Sequence, residues 1–106
     1  PQHELASRQM AGPGAVISFG VRGGFAAAKT MIESCRLATL AVSLGGIETL
    51  IEHPASMTHS ALPRAEREAA GITDDLVRIA VGCEDERDLL ADVDQALARA
   101  AAIAAP

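Results

Sequence analysis

The chain is predicted to fold as an α+β domain: a small, mainly antiparallel four-stranded sheet with helices packed on one face. The apolar period changes along the sequence in the order strand, helix, two strands, short helix, strand, long helix. Gly23-Gly24, Gly45-Gly46, His53-Pro54 and Gly71 punctuate those changes. The run Leu76-Val77-Arg78-Ile79-Ala80-Val81 alternates so that Val77, Ile79 and Val81 form an all-apolar β-branched side. That side should meet helices, which leaves the other sheet face uncovered.

Residues 1–14 read as an Ala/Gly/Pro-rich lead-in with a short helix through Glu4–Met10, ended by Gly12-Pro13-Gly14. Ala15–Val21 reads as a strand. Phe25–Cys35 reads as an amphipathic helix, with Phe25, Ala28, Ile32 and Cys35 on one side. Leu37–Val42 is a second strand, stopped by Ser43-Leu44-Gly45-Gly46. Glu48–Glu52 is a third, ended where Pro54 restricts His53. Pro63 suits the first turn of a brief Arg64–Ala70 helix that Gly71 terminates. Leu76–Val81 is the fourth strand. In the last helix Asp85 is the N-cap, Asp88 stands in the first turn, and Leu89, Leu90, Val93, Leu97 and Ala101 form a stripe read as core.

Arg78 carries the most chemical information. A guanidinium inside an apolar strand needs an anionic partner, because an unpaired buried charge is costly and arginine does not deprotonate. Alternation aims it away from the domain's own core, so it reads as an anion site on the open face, with a solvated surface arginine as the alternative. Its anion is expected from outside the domain rather than from the domain's own acidic groups.

The chain has 106 residues, 49% of them hydrophobic, which suits one compact domain; a chain of this size buries roughly two-thirds of its unfolded surface. A net charge of −5 and 2% aromatic residues argue against nucleic acid. No apolar run approaches the ~18 residues of a membrane span. Cys35 and Cys83 match no metal or redox motif and suit reduced thiols in a cytoplasmic protein. His53 and His59 have no third ligand at useful spacing and read as ordinary hydrogen-bonding histidines. The chain starts at Pro1, as expected of an excised or processed piece of something longer.

Two blocks are similar to the C-terminal domain of the Cys/Met-metabolism enzymes that use pyridoxal phosphate. The first is Ser43-Leu44-Gly45-Gly46-Ile47-Glu48-Thr49-Leu50-Ile51-Glu52-His53-Pro54-Ala55-Ser56-Met57-Thr58-His59-Ser60. The second runs from Gly71 to Asp85 and resumes at Asp88-Leu89-Leu90-Ala91-Asp92-Val93. The family includes cystathionine γ-synthase, cystathionine γ-lyase, methionine γ-lyase and the O-acylhomoserine sulfhydrylases. The resemblance implies that residues 15–106 are a C-terminal substrate-carboxylate-binding domain. The large domain, which holds pyridoxal phosphate on a lysine, is absent from this chain. It implies a sulfur-containing amino acid or O-acylhomoserine as substrate, the large domain as partner, and a cytoplasmic homo-oligomer such as a homotetramer.

The same resemblance implies that Arg78 grips the substrate α-carboxylate, a task for which a planar guanidinium is suited because it forks both oxygens. Ser43 would lie against that carboxylate, and Thr58 close to the cofactor-bearing lysine; backbone-bonding loop residues are the alternatives. Val42 stands where cystathionine-using members carry an acidic residue and methionine γ-lyase-like members carry valine, favouring a thioether tail. Lys29 does not resemble the cofactor lysine and reads as a solvated helix residue. In the complete enzyme the cofactor ring would serve as electron sink; this chain alone is expected to be inactive. A γ-replacement enzyme, or a non-catalytic stand-alone interaction domain using the open sheet face, are the alternatives.

Overall fold

The computed structural model describes residues 1–104; residues 105 and 106, the end of the predicted second segment, lie outside the described residues. A four-stranded sheet forms in the order β1-β4-β3-β2, built from β1 (Val16–Gly20), β2 (Thr39–Leu40), β3 (Leu50–Glu52) and β4 (Leu76–Ala80). Helices α1 (His3–Gln9), α2 (Gly24–Ser34), α3 (Arg64–Ala69) and α4 (Glu86–Ala104) complete the chain. The α+β class holds, and α2 and α4 pack on one face of the sheet, whereas α1 buries no residue. The sheet is mixed: β4 pairs antiparallel with β1 and with β3, whereas β2 and β3 run parallel.

β2 and β3 are both shorter than predicted, and at their starts the reason is common: carboxylates take amides that a longer ladder would use. Asp92 on α4 accepts from the backbone N–H groups of Arg36, Leu37 and Ala38 at 2.7–2.9 Å, so the predicted Leu37–Val42 strand starts at Thr39; β2 ends at Leu40, although Ala41 still donates to the Ile51 carbonyl. Glu84 accepts the Thr49 N–H at 2.8 and 3.0 Å, which starts β3 at Leu50 rather than Glu48.

The core lies between the sheet and the α2–α4 pair. Val77 and Ile79 of β4 bury against Ala27, Ala28, Met31 and Ile32 of α2 and Ala96 and Ala100 of α4. Small residues on facing helices let the two backbones approach closely. At the end of that contact, a Cβ on Gly23 would collide with Ala27 and Ala104, and Gly23 also holds a φ of +105°. The predicted α2 stripe needs correction at Phe25, which is half-exposed and sets its ring edge-on to His53, with centroids 5.2 Å apart. The α4 stripe is rotated too. Asp92, Ala96 and Ala100 face inward and Val93 still packs against the core, but Leu90 is 63% exposed, and Leu89 and Leu90 border an open groove of about 460 Å³ with Ile17 and Phe19. Docking Asp92 onto the three amides fixes the helix in that rotation.

Helix ends follow the sequence closely. Asp85 Oδ1 accepts the Arg87 N–H at 2.8 Å, the N-cap contact expected of it. Gly71 at φ +83° follows α3, and its N–H and that of Ile72 reach back to the Glu68 and Arg67 carbonyls. Pro63 is the N-cap residue of α3 rather than its first helical residue.

Burial pushes the Asp92 carboxyl up, but the three amides and the Gln95 side-chain amide pull harder, leaving it below the usual carboxylate range. A depressed folded value means that the stabilisation is complete above the unfolded carboxyl value of about 3.9 and is lost as pH falls through the folded one. Asp92→Ala removes the acceptor of three amides, the buried N–H of Ala38 among them, and is expected to cost about 3 kcal/mol in urea unfolding at neutral pH. The gap between parent and variant should narrow below about pH 4; a pH-independent gap would contradict the assignment.

Candidate functional site

The site is built on the sheet face opposite α2 and α4, where β4 lies between β1 and β3; that face was expected to be uncovered, and it is open over β1 but closed over β3, where Leu50, Glu52 and Ala80 are buried. Because Val77 and Ile79 go under the helices, Arg78 projects to the opposite side, as its alternation predicts. Its register neighbours are Ser18 on β1 and Glu52 on β3. The Arg78 side chain remains 21% exposed, with Nη1 3.3 Å from Glu52 Oε1 and Nη2 donating to the Ser43 carbonyl at 3.0 Å.

That geometry corrects one expectation. Arg78 does have an anionic partner within the domain, and a guanidinium saturated by the domain's own carboxylates would speak against an outside ligand. This one is not saturated. Glu52 meets a single terminal nitrogen at a distance longer than the ~2.7–2.9 Å of a strong charge-assisted bond, and does not fork it. A guanidinium carries five N–H donors, so two contacts leave the rest of its edge available for a second, bidentate acceptor.

The loop carrying Ser43 is seated on the end of β4. Glu84 clamps Thr49, the Thr49 hydroxyl accepts the Gly82 N–H at 2.9 Å, and the Cys83 N–H donates to the Ile47 carbonyl at 2.7 Å. Gly82 is required here because a Cβ would run into the backbone of Ile47 and Glu48. It is the Ser43 carbonyl, not its hydroxyl, that meets Arg78. Val42, 54% exposed, stands beside it, and Leu44 and Ile47 of the same loop are also exposed.

Thr58 comes from the segment after β3, which buried His53 anchors. The His53 Nε2 lies 2.7 Å from the Asp74 carbonyl and must donate to it, so Nδ1, 2.8 Å from Ser56 Oγ, is the accepting nitrogen. Both ring nitrogens are thereby committed to holding the loop. Asp74 is in turn gripped by Arg67 at 2.7 Å, which together with Arg64 holds its carboxyl below the usual range. Thr58 Oγ1 donates to Glu52 Oε1 at 3.2 Å and lies 2.8 Å from His59 Nδ1.

Arg78, Ser43 and Thr58 are thus brought together, with Val42 at the rim, and Glu52 is the hub that sequence reasoning missed. The sequence signal was weak: Glu52 follows the apolar pair Leu50-Ile51 but is followed by His53-Pro54, so it reads as the polar end of a strand and not, like Arg78, as a charge with apolar residues on both sides. Lys29 pairs with Glu33 at 2.8 Å on the exposed side of α2 and does not fit an anchor for an aldehyde cofactor. Neither cysteine is in a disulfide, and burial, with the Asp92 charge adding to it, pushes the Cys35 thiol up to about 11.

Residues 1–98 match the family model for the Cys/Met metabolism PLP-dependent enzymes. The chain is 58% identical over 97 residues to an L-methionine gamma-lyase of Fusobacterium nucleatum subsp. polymorphum, covering 92% of this chain and 25% of that protein. It is 54% identical to the cystathionine gamma-lyase of Sus scrofa over 92% of this chain and 24% of that protein. A crystal structure of cystathionine gamma synthase from Xanthomonas oryzae pv. oryzae, in complex with aminoacrylate and cysteine, superposes with a TM-score of 0.90 at 50% identity. The match covers 97% of this chain and 27% of that one. The chain therefore spans about a quarter of the length of the relatives it matches. With a family model covering nearly all of its length and a fold to match, the chain belongs to the Cys/Met metabolism PLP-dependent enzyme family.

Proposed function

We propose that this chain is the C-terminal, substrate-carboxylate-binding domain of a pyridoxal-phosphate-dependent carbon–sulfur γ-lyase acting on a sulfur-containing amino acid. The observation that carries the reading is the part-exposed, half-committed Arg78 on the sheet face opposite the helices, held by Glu52 and the Ser43 carbonyl, with Thr58 on the same Glu52 oxygen. Arg78 binds the substrate α-carboxylate through its free edge. Ser43 and Thr58 line the approach. Positioning of this kind can supply several kcal/mol of the barrier by fixing the reacting bond.

Pyridoxal phosphate and its lysine belong to the part of the enzyme outside this chain, since Lys29 does not fit that role. The exposed apolar loop around Val42, Leu44 and Ile47 supports a pocket completed by the large domain of the same enzyme or by a neighbouring subunit of a homo-oligomer. The likeness to a cystathionine gamma synthase keeps γ-replacement, with an O-acylhomoserine as substrate, as the second reading. Valine rather than a carboxylate at position 42 favours the lyase and a thioether tail, because it offers no partner to a distal ammonium.

In the full-length enzyme, Arg78→Ala is expected to raise the KM for L-methionine about 100-fold, from loss of two charge-assisted hydrogen bonds, with Arg78→Lys in between. An unchanged KM removes the assignment. Val42→Glu is expected to lower kcat/KM for L-methionine about tenfold and to shift preference toward cystathionine. Steady-state kinetics with both substrates checks this, and an unaltered ratio would show that Val42 does not select the tail.

A further inference from the structure

We propose that Glu52 is a positioning residue for Arg78: it sets the orientation of the guanidinium and so the affinity for the substrate carboxylate. This rests on Arg78 being the carboxylate grip. Glu52 is 1% exposed and yet uses one of its two oxygens. Oε1 receives both Arg78 Nη1 and Thr58 Oγ1, and Oε2 has no hydrogen-bond partner among the described residues.

The two other carboxylates that join distant parts of this chain behave differently. Asp92 divides four donors between its oxygens, two of them on each. Glu84 applies both oxygens to the Thr49 N–H. Those are anchors of the backbone. Glu52 touches no backbone amide through its carboxylate, and both of its partners are side chains of the candidate site. A buried carboxylate with an unpartnered oxygen is a poor stabiliser of a fold, and a well-packed apolar residue of similar volume does as well or better. The arrangement makes sense as orientation: Glu52 holds one terminal nitrogen of the guanidinium from β3, and the Ser43 carbonyl holds the other from the loop. Two holds from different elements fix the plane of the fork. At 3.3 Å the ionic contact remains slack enough for a second carboxylate to compete for the charge.

The test uses the full-length, cofactor-loaded enzyme with L-methionine as probe. Glu52→Met keeps volume and removes the acceptor; Glu52→Gln keeps shape and an acceptor oxygen but removes the charge. Glu52→Met is expected to raise KM about tenfold with kcat within about threefold, and Glu52→Gln to fall between it and the parent. In an Arg78→Ala background, Glu52→Met should change KM by less than about twofold, because a residue acting through Arg78 has nothing left to act on.

A KM for Glu52→Met within about twofold of the parent overturns the inference, as does a rise that repeats in the Arg78→Ala background, or a fall in KM. Should Glu52→Met not fold, Thr58→Val at an exposed position carries the test. It is expected to raise KM about threefold, and only when Arg78 is present; no rise, or a rise without Arg78, overturns it. If Arg78→Ala itself leaves KM unchanged, the carboxylate-site reading fails first. If Arg78 matters and Glu52 does not, only the present inference fails.

Discussion

The structure depends on the two-sidedness of β4. Val77 and Ile79 are buried beneath α2 and α4, and no rotation of the strand can keep them there while turning Arg78 inward. Burial of those two β-branched side chains contributes about 2 kcal/mol each, which holds Arg78 on the far face more firmly than any contact of its own. Hydrogen bonding to β1 and β3 on either side then fixes what Arg78 meets: Ser18 across one ladder and Glu52 across the other. The site is a consequence of the core.

Around that strand, carboxylates take over work that backbone pairing does elsewhere in the sheet. Asp92 gathers three successive amides where the chain leaves α2, and Glu84 gathers Thr49 where it enters β3. Each shortens a strand and, in exchange, locks a loop: Asp92 the segment that leads into β2, and Glu84 the loop that carries Val42 and Ser43. Glu52 is of a different kind, with its contacts made to side chains and one oxygen left over. The helices fit the same logic. Alanines at the α2–α4 contact allow a close approach, and the larger leucines of α4 are displaced toward the groove and solvent.

The chain belongs to a pyridoxal-phosphate-dependent family, and the face proposed here to bind substrate is the one that carries Arg78. The exposed Val42, Leu44 and Ile47 adjoin the half-committed guanidinium, so the apolar rim and the charge share one face.

The sequence by itself determined the α+β class, the inward side of β4, the outward direction of Arg78, the Asp85 cap and the Gly71 stop. These follow from period, from capping chemistry and from backbone torsions, all of which act over a few residues. The two long motifs also carried the family, with Ser43, Thr58 and Val42 as candidates around Arg78. Tertiary structure alone decided the parallel β2–β3 pairing, the shortened strands, the rotation of α4 and the displacement of Phe25. It also decided that Glu52 answers Arg78. Asp92 reaches amides 54 to 56 residues away, and the hold of Arg78 on Ser43 spans 35. Contacts at such separations depend on how whole elements pack, and local preference does not record which distant donor a buried carboxylate will find.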